Sequence, residues 1–363
     1  MWVEIGIAAI KTGAILGVVM ALAGVFGWFE RKVSAYMQDR VGANRCSVFG
    51  FAGAGLINTI MADPLKFATK EDFVPAGVDR LLHTLAPCVN FFPVLVAFAA
   101  IPFGDVLEAG GRSINLQAVP LNVGVLYILA MVSLSVYGVV LGGWASNNRF
   151  SLLGGIRGSA QMISYELAMG LSIVAMVMTY GTLDLQTMVR AQGHLIGGWL
   201  PAWGVLYQPL AFLLFLTAGM AETKRSPFDL PEGESELVAG YFIEFSGVKY
   251  LMFFMTDFIE VAVVAGLLTT MFFGGWQVPY LMRDGFHFPL GVTVALPHLL
   301  VVVLQIVSFL LKVVFFGWLQ CLIRWTLPRI RYDQLMGLGW KGLLPVSLAN
   351  VLATAVVILA WQA

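Results

Sequence analysis

Long apolar runs separated by polar connections recur along the whole 363-residue chain. Eight of them approach the roughly 20 residues that a helix needs to cross the hydrocarbon core of a bilayer. The runs are continuous, whereas a membrane-spanning β-strand alternates apolar and polar residues over about 9–11 positions. The pattern therefore predicts an all-α polytopic membrane protein, a single integral membrane domain over residues 1–363. The predicted spans cover residues 5–29, 81–103, 123–144, 159–180, 203–221, 250–273, 296–323 and 343–361.

A shorter amphipathic pattern lies in the first connection, in the stretch AGLINTIMADPLKFATKE. Apolar residues recur with helical period at positions 56, 57, 60, 61, 65 and 68, whereas Asp63 and Lys66 fall on another face. This pattern predicts an amphipathic helix at the cytoplasmic membrane surface, bent near Pro64. A helix that packs on its own protein would show the same pattern, and both descriptions can hold together.

Composition agrees with a membrane protein, because 59% of the residues are hydrophobic and only 12% are charged. Soluble proteins carry about 25% charged residues. The net charge of zero gives no indication of nucleic-acid binding. Of the 21 lysines and arginines, 16 lie in alternate connections and three lie on the opposite side. Since basic connections stay in the cytoplasm, both termini are predicted to be periplasmic.

The residues that usually bind metals are scattered. Cys46, Cys88 and Cys321 form no CxxC pair, and the four histidines have no ligand spacing to one another or to the cysteines. The cysteines fit small apolar positions in helices. No nucleotide-binding glycine motif follows a strand. The sequence therefore predicts that redox centres lie in other chains.

Ionisable residues inside the predicted spans are the strongest functional signal, because each costs roughly 3 kcal/mol to insert. Glu166 lies about 10 Å into the fourth span, at 1.5 Å per residue. Asp257 and Glu260 lie about 10 and 15 Å into the sixth span, on neighbouring parts of one helix face. Clustered carboxylates at similar depth favour proton exchange near neutral pH, and so predict a route for protons or charge.

Lys312, Lys11 and Glu166 can also be interpreted without a role in proton transfer. Lys312 lies near the middle of the seventh span, where an ion pair that locks two spans together would explain it. Glu166 could equally be a hydrogen-bonded tie between helices. Lys11 lies near the outer end of the first span, where its ammonium group can reach the interface.

An acid-rich stretch, AETKRSPFDLPEGESELVAGYFIEFSG, joins the fifth and sixth predicted spans. Asp229 and Glu232 fit a capping box, with Pro231 in the first turn of a helix. The helix dipole favours further acids at that position, but so many like charges close together repel one another. The excess therefore predicts a polar cavity or a charged partner surface nearby. The six acids are Glu222, Asp229, Glu232, Glu234, Glu236 and Glu244.

Four motifs together resemble a known family. They are ERKVSAYMQDRVGANR, GWASNNRFSLLGGIRGSAQMISYEL, the acid-rich stretch and RWTLPRIRYDQLM. In this order they closely resemble the H subunits of bacterial NADH-quinone oxidoreductase, respiratory complex I, whose mitochondrial equivalent is NADH dehydrogenase subunit 1. The resemblance implies a multi-pass protein of the bacterial inner membrane, beneath the peripheral arm of an H⁺-translocating enzyme of the EC 7.1.1 class. In that family the H subunit lines the quinone tunnel and begins a chain of acids that couples quinone reduction to proton translocation.

The resemblance also implies roles for individual residues, none of them catalytic or metal-binding. The quinone-tunnel residues are Arg31, Arg40, Asp63 and Asp229. The residues of the proton or coupling route are Glu166, Glu222, Glu232, Glu234, Glu236, Glu244, Asp257, Glu260 and Lys312. The residues that dock the peripheral arm are Arg324, Arg329 and Arg331.

Substrate and partners follow from the same resemblance. It implies ubiquinone or menaquinone as the substrate, no cofactor held by this chain alone, and FMN and iron–sulfur clusters in partner subunits. The implied partners are the peripheral quinone-site subunits, small membrane subunits, antiporter-like subunits and membrane lipid, with no nucleic acid.

The chain departs from the family pattern in three places. Ala43 stands where the family usually has proline, so the turn Gly42-Ala43-Asn44-Arg45 is less rigid. Asp257 stands where the family commonly has glutamate, and Glu260 stands where it often has a neutral polar residue, which leaves two candidates for the working acid. The third span lacks an acid that some relatives carry.

Three alternative functions remain open. The homologous membrane subunit of a hydrogenase- or ferredoxin-linked ion-pumping complex shares the fold, although such relatives match QDRVG and RYDQLM less well. A secondary transporter would show inverted repeats, which are not evident. A purely scaffolding subunit would need its glutamates only for assembly.

Overall fold

A computed structural model describes residues 2–42, 47–48, 51–52, 55–109, 111–197, 199–288 and 293–362. Helices dominate these residues. The α-helices are α1 (Trp2–Met37), α2 (Gly55–Ile57), α3 (Asp63–Thr69), α4 (Arg80–Ala97), α5 (Gly124–Ala145), α6 (Arg149–Tyr180), α7 (Leu185–Ala191), α8 (Gly204–Tyr207), α9 (Pro209–Glu222), α10 (Glu234–Leu237), α11 (Gly247–Phe272), α12 (His298–Thr326), α13 (Tyr332–Gly337) and α14 (Leu344–Gln362). Short 3₁₀ segments cover Phe98–Ala100 and Gly240–Phe242, and π-helical segments cover Asn58–Ala62 and Leu338–Leu343.

Seven helices within the described ranges are long and apolar enough to cross a membrane. Six of them are α1, α4, α5, α6, α11 and α12, and the seventh is the continuous run from α13 to α14. They confirm an all-α polytopic membrane protein. The ends differ from the predicted spans, because α1 and α6 continue beyond their apolar cores into the polar motifs. Asn148 caps α6 through its side chain, eleven residues before the predicted start.

The predicted fifth span is shorter than a full crossing. It is interrupted at Gln208, so that four residues form α8 and 14 residues form α9. A helix of 14 residues is about 21 Å long, whereas the hydrocarbon core is about 30 Å thick. Pro209 begins the new helix, and the side chain of Gln208 donates to Thr354 at 2.8 Å and accepts from Asn350 at 3.2 Å. Within the described part of the chain, seven long helices and one short apolar helix therefore stand where eight spans were predicted.

Short antiparallel strands occur in the connections and not in the apolar spans of the described residues. The hairpins are β1 (Ser47–Val48) with β2 (Phe51–Ala52), β3 (Val106–Ala109) with β4 (Arg112–Asn115), and β5 (Leu195–Ile196) with β6 (Leu200–Pro201); β7 (Leu281–Met282), β8 (Gly285–His287) and β9 (Thr293–Ala295) form a three-stranded sheet. In β3–β4 the register pairs Val106 with Asn115. Lys11 of α1 donates to the carbonyl of Asn115, which fits the prediction that this lysine reaches the outer interface.

Helix α11 forms the centre of the bundle. In its most apolar window 83% of the residues are buried, against 11% in α1 and 17% in the run that ends in α14. Helices α1, α4, α9 and α12 surround it. A charged residue on α11 therefore faces protein and not lipid, which matters for Asp257 and Glu260.

The predicted surface helix is present as α2, the π-helical segment and α3. Pro64 lies in the first turn of α3, directly after the π-helical segment, so the helix is irregular where the bend was predicted. The helix packs on its own protein, since the Phe67 ring lies 5.6 Å from that of Tyr250. Another face leaves Met61 and Leu65 exposed. The packing of this helix on its own protein is confirmed, and its location at the membrane surface stays a prediction.

Candidate functional site

The acid-rich stretch forms a compact loop between α9 and α11. Helix α9 ends at Glu222, and the four-residue helix α10 begins only at Glu234, after Gly233, which provides no side-chain cap. The predicted capping box of Asp229 and Glu232 is therefore wrong. Tertiary contacts hold this part of the chain in place of a helix start. The side chain of Gln161 on α6 donates to the carbonyls of Ala221 and Phe228, both at 2.7 Å.

A buried lysine forms the centre of the charge cluster at the start of this loop. The Lys224 side chain is fully buried, and its Nζ lies 3.2 Å from Asp257 Oδ1 and 3.4 Å from Glu260 Oε2. The hydroxyl of Ser135 on α5 donates to Glu260 Oε1 at 3.3 Å. The predicted shared face of Asp257 and Glu260 is thus confirmed, because one ammonium group contacts both carboxylates.

A second group of charges joins three segments beside the first. Arg225 donates to Glu30 at 2.8 Å, and Arg324 forms an ion pair with the other oxygen of Glu30. Glu30 lies on α1 and Arg324 lies on α12, so the loop is tied to two spans. The Arg225 guanidinium also lies 3.8 Å from the centre of the Phe258 ring on α11.

A cavity of about 300 Å³, here called the charged cavity, opens between these groups. Its charged lining consists of Glu30, Arg225, Glu232, Asp257 and Arg324. Its remaining lining is apolar or aromatic, formed by Ala239, Phe242, Ile243, Phe245, Tyr250 and Phe254. A cavity with one ionic and one aromatic wall suits a flat ring that carries polar oxygens.

Glu232 is the loop acid that lies in this cavity and beside Asp257. Burial raises the pKa of the Glu232 carboxyl well above its usual value, and the charges of Asp257 and Asp229 raise it further. The Glu232 carboxyl is also hydrogen-bonded to that of Asp257. A carboxyl group of this kind can hold a proton near neutral pH.

Two more acids lie deeper, around a second space here called the inner cavity. This cavity measures about 10 Å³, roughly the room for one water, and Glu222 and Glu260 line it among apolar side chains. Both carboxylate oxygens of Glu222 are buried without a hydrogen-bond partner among the described residues. Glu166, which lies within electrostatic range of Glu222, accepts a hydrogen bond from Ser133 on α5. Glu166 is therefore both part of the acid group and a tie between helices.

Glu236 and Glu244 are not among the residues that line the two cavities. Glu236 is half exposed and accepts from Arg157 at 2.7 Å, and this hydrogen bond lowers the pKa of the Glu236 carboxyl. Glu244 accepts from Asn148 Nδ2 at 2.7 Å. The side chain of Glu234 lies outside what the structure describes.

The basic residues assigned to the tunnel and to docking occupy different places. Arg31 pairs with Asp63 of the surface helix, and Arg40 is exposed, with its Nε donating to Gln38 at 2.8 Å. Arg329 lies against Gly233 of the loop. Of the three arginines assigned to docking, Arg331 alone is largely exposed, with 76% of its side chain accessible. Arg324 is instead held in the ion pair with Glu30.

Lys312 does not join the acids. Its Nζ donates to the backbone carbonyls of Phe273, Gly275 and Gln277, at 2.9, 2.9 and 2.7 Å. These carbonyls follow the end of α11, about 18 Å along that helix from Glu260. The alternative of an ion pair between spans is wrong for the described residues, because the partners of Lys312 are backbone carbonyls.

Among the described residues, no group of three or more His, Cys, Asp or Glu side chains could hold a metal ion. Cys88 and Cys321 lie in α4 and α12, as expected of apolar helix positions. Cys46 and the turn residues 43–45 lie outside the described residues.

Three members of the site, Glu30, Lys224 and Arg225, were not predicted from the sequence. Each lies at the end of a long apolar run, where a charge is usually solvated, and so none was distinguished from an ordinary interfacial residue. The available signal was their place in the stretches FERK and ETKR, in which opposite charges directly follow an apolar run.

Comparison with known proteins agrees with the motifs. The family model described as NADH dehydrogenase matches residues 10–355. The NADH-quinone oxidoreductase H subunit 1 of Geobacter metallireducens is 45% identical over 97% of this chain and 96% of its own length. The NADH-quinone oxidoreductase H subunit of Thermomicrobium roseum is 45% identical over 98% and 97%. The corresponding H subunit 1 of Cytophaga hutchinsonii is 42% identical over 95% of each chain.

Proposed function

Because this chain belongs to the NADH dehydrogenase family of NADH-quinone oxidoreductase H subunits, we propose that it forms the access path for quinone and couples quinone reduction to proton transport. As a member of this family, the chain is a membrane subunit of a multi-subunit oxidoreductase that acts on quinone. The finer proposal concerns which part of the molecule receives the quinone and which residues carry protons. It includes a single integral membrane domain in a bacterial inner membrane, with both termini periplasmic.

The charged cavity carries this proposal. Its aromatic wall offers ring stacking to a quinone head group, and Arg225 and Arg324 provide donors for carbonyl oxygens. Reduction of a quinone to a quinol takes up two electrons and two protons. The electrons come from redox centres that we place in peripheral partner subunits, since this chain offers no candidate ligand set among its described residues.

Protons are available from this chain's own acids. Glu232 holds a proton because burial and neighbouring charges favour its neutral form, and its carboxyl is bonded to that of Asp257. From there Glu260, Glu222 and Glu166 continue the line of acids into the membrane. We propose that a change of charge in the charged cavity alters the protonation of the acids along this line. At the end of the line of acids, the antiporter-like and small membrane subunits would respond to this change of protonation.

The other assigned residues take peripheral roles in this proposal. Arg31, Asp63 and Arg40 lie at the surface helix or beside it, where quinone would enter, and Asp229 adds charge next to Glu232. Arg331 is placed to dock the peripheral arm because it projects outward. Ubiquinone and menaquinone both fit the proposal.

Glu166→Gln tests the acid line, because glutamine keeps the bond to Ser133 but holds no exchangeable acidic proton. The variant should assemble normally, while quinone reduction coupled to proton transport falls by at least about tenfold. Asp333→Asn, on the exposed helix α13, serves as the control. Normal turnover and normal proton transport of Glu166→Gln in sealed vesicles would refute the proposal.

The same preparation distinguishes the proposed function from the closest alternative, a membrane subunit of a hydrogenase- or ferredoxin-linked ion-pumping complex. Copurified peripheral subunits that oxidise ferredoxin or hydrogen, with no quinone reduction, would assign the chain to that kind of ion-pumping complex. NADH-dependent quinone reduction by the assembled complex would support the function proposed here.

A further inference from the structure

Lys224 lies between the charged cavity and the inner cavity. Asp257 lines the first cavity and Glu260 lines the second, and neither cavity is lined by both. The Lys224 ammonium group lies 3.2 Å from one carboxylate and 3.4 Å from the other. It is therefore the polar group that links the acids on the two sides.

The surrounding charges leave this group one proton short of neutrality. Asp257 and Glu260 face the ammonium group from α11, and Glu232 contributes a further acid from the loop. The Tyr241 ring centre lies 5.8 Å away, and Ser135 faces Glu260 from α5. One ammonium group balances the charge of one carboxylate, so this low-dielectric site attracts a further proton.

The backbone indicates that the lysine side chain is needed there. Lys224 follows the last turn of α9 with a φ of 55°, in the left-handed region where glycine is usual. A non-glycine residue in this conformation is disfavoured, and it persists because the surrounding contacts hold it.

We propose that Lys224 is a proton-relay residue of the acid line, which passes a proton between Asp257 and Glu260 and so joins the two cavities. This inference rests on the function proposed above. In the step, one N–H bond of the ammonium group breaks and an O–H bond forms on the Glu260 carboxylate. The O–H bond of protonated Asp257 then breaks as its proton restores the ammonium group. One proton has moved, and Lys224 ends the step as it began.

The electrostatics favour this order of events. Burial by itself lowers the pKa of the Lys224 ammonium, but the charges of Glu260 and Asp257 outweigh that effect and raise its pKa above the ordinary value. The resting lysine is therefore charged. Protonation of Asp257 removes one of the two stabilising charges, which makes it easier for the ammonium to give its proton to Glu260.

Lys224→Arg is the sharpest test. Arginine preserves the positive charge between the two acids, but its guanidinium is never deprotonated in proteins and so does not pass a proton on. The variant complex should assemble, and its quinone turnover and proton transport should fall by at least about tenfold. Lys341→Arg, at an exposed position, controls for the exchange itself.

A second variant is needed in case the larger arginine side chain prevents assembly at this buried position. Lys224→Met combined with Glu260→Gln removes one charge of each sign and leaves an uncharged pair of similar shape. This double variant should assemble, which would show that the site folds without the lysine, and it should lack coupled proton transport because both the lysine and an acid of the line are gone. Normal turnover and transport in either assembled variant would overturn the inference, and so would the failure of both variants to assemble, which would make Lys224 a purely structural residue.

The variants Glu166→Gln and Asp257→Asn test the proposed function independently of the role of Lys224. Loss of transport in Glu166→Gln, together with normal transport in Lys224→Arg, would retain the acid line and remove Lys224 from it. Normal transport in Glu166→Gln and in Asp257→Asn would instead remove the proposed function.

Discussion

Glu232 and Glu236 are four residues apart in one loop, yet their surroundings give them opposite properties. Glu232 lies beside Asp257 and lines the charged cavity, and the pKa of its carboxyl is raised. Glu236 lies at the surface with Arg157, and the pKa of its carboxyl is lowered. Burial and partners, and not the type of residue, therefore select which acid of the stretch can hold a proton.

Glu232→Gln should stabilise the protein toward higher pH while it lowers quinone turnover. A raised folded-state pKa means that ionisation of Glu232 costs stability, and this cost grows as pH rises above the ordinary glutamate value of about 4.3. Glutamine removes the cost because it does not ionise. The midpoint of heat inactivation of the purified complex, compared with wild type at pH 5 and pH 8, measures the effect. An equal difference at both pH values would contradict this prediction.

At the scale of the secondary-structure elements, a lysine side chain ties α12 to the turn that follows α11. Lys312, in the middle of α12, donates to three backbone carbonyls of that turn. A buried carbonyl group that loses its donor costs roughly 1–3 kcal/mol, so the lysine stabilises the end of the bundle at which α11 ends.

Lys312→Met should therefore lower the heat-inactivation midpoint of the complex, while quinone turnover per assembled complex stays close to wild type. The expected loss of stability is about 3 kcal/mol, because three carbonyls lose one shared donor. Thermal inactivation and initial rates measure the two quantities separately. A selective loss of proton transport at unchanged stability would return Lys312 to the coupling route that the family resemblance implies.

Helices α4 and α5 approach closely at Gly138. A Cβ atom at this position would lie 2.5 Å from the Asn90 backbone nitrogen and 2.7 Å from its Cα, closer than two packed atoms can stand. Small residues allow such contacts between membrane helices.

Gly138→Ala should destabilise the bundle by about 3 kcal/mol, because the two backbones must separate to admit the methyl group. Gly170→Ala is the matched control, since it also lies in a long helix and its added Cβ would meet nothing within 4 Å. The yield of assembled complex and its heat-inactivation midpoint should fall for Gly138→Ala alone. Equal behaviour of the two variants would show that α4 and α5 are not tightly packed at Gly138.

The whole molecule is arranged around one buried helix that carries acids. Helix α11 contributes Asp257 and Glu260, the loop after α9 contributes Lys224 and Arg225, and α1 contributes Glu30. Parts of the chain that are far apart in sequence thus meet in one cluster of charges around Asp257 and Glu260. The surface helix packs beside the charged cavity, because its Phe67 contacts Tyr250, which is one of the residues that line that cavity.

The membrane class, the family and most of the candidate acids could be predicted from the sequence. Continuous apolar runs of about 20 residues are sufficient to identify spanning helices, because a bilayer offers no other partner for backbone polar groups. The spacing of Asp257 and Glu260 also predicted their shared face, since the α-helix has a constant period. These features depend on local pattern and on composition.

Which charges meet depends instead on the tertiary structure. The fold pairs Lys224 with Asp257 and Glu260, leaves Lys312 with backbone carbonyls, and has a loop where a helix cap was expected at Asp229. It also divides the fifth span at Gln208, through contacts to residues of α14. The physical reason is that a charge in low dielectric needs a partner, and the identity of that partner depends on helix rotation and on loop paths between segments distant in sequence.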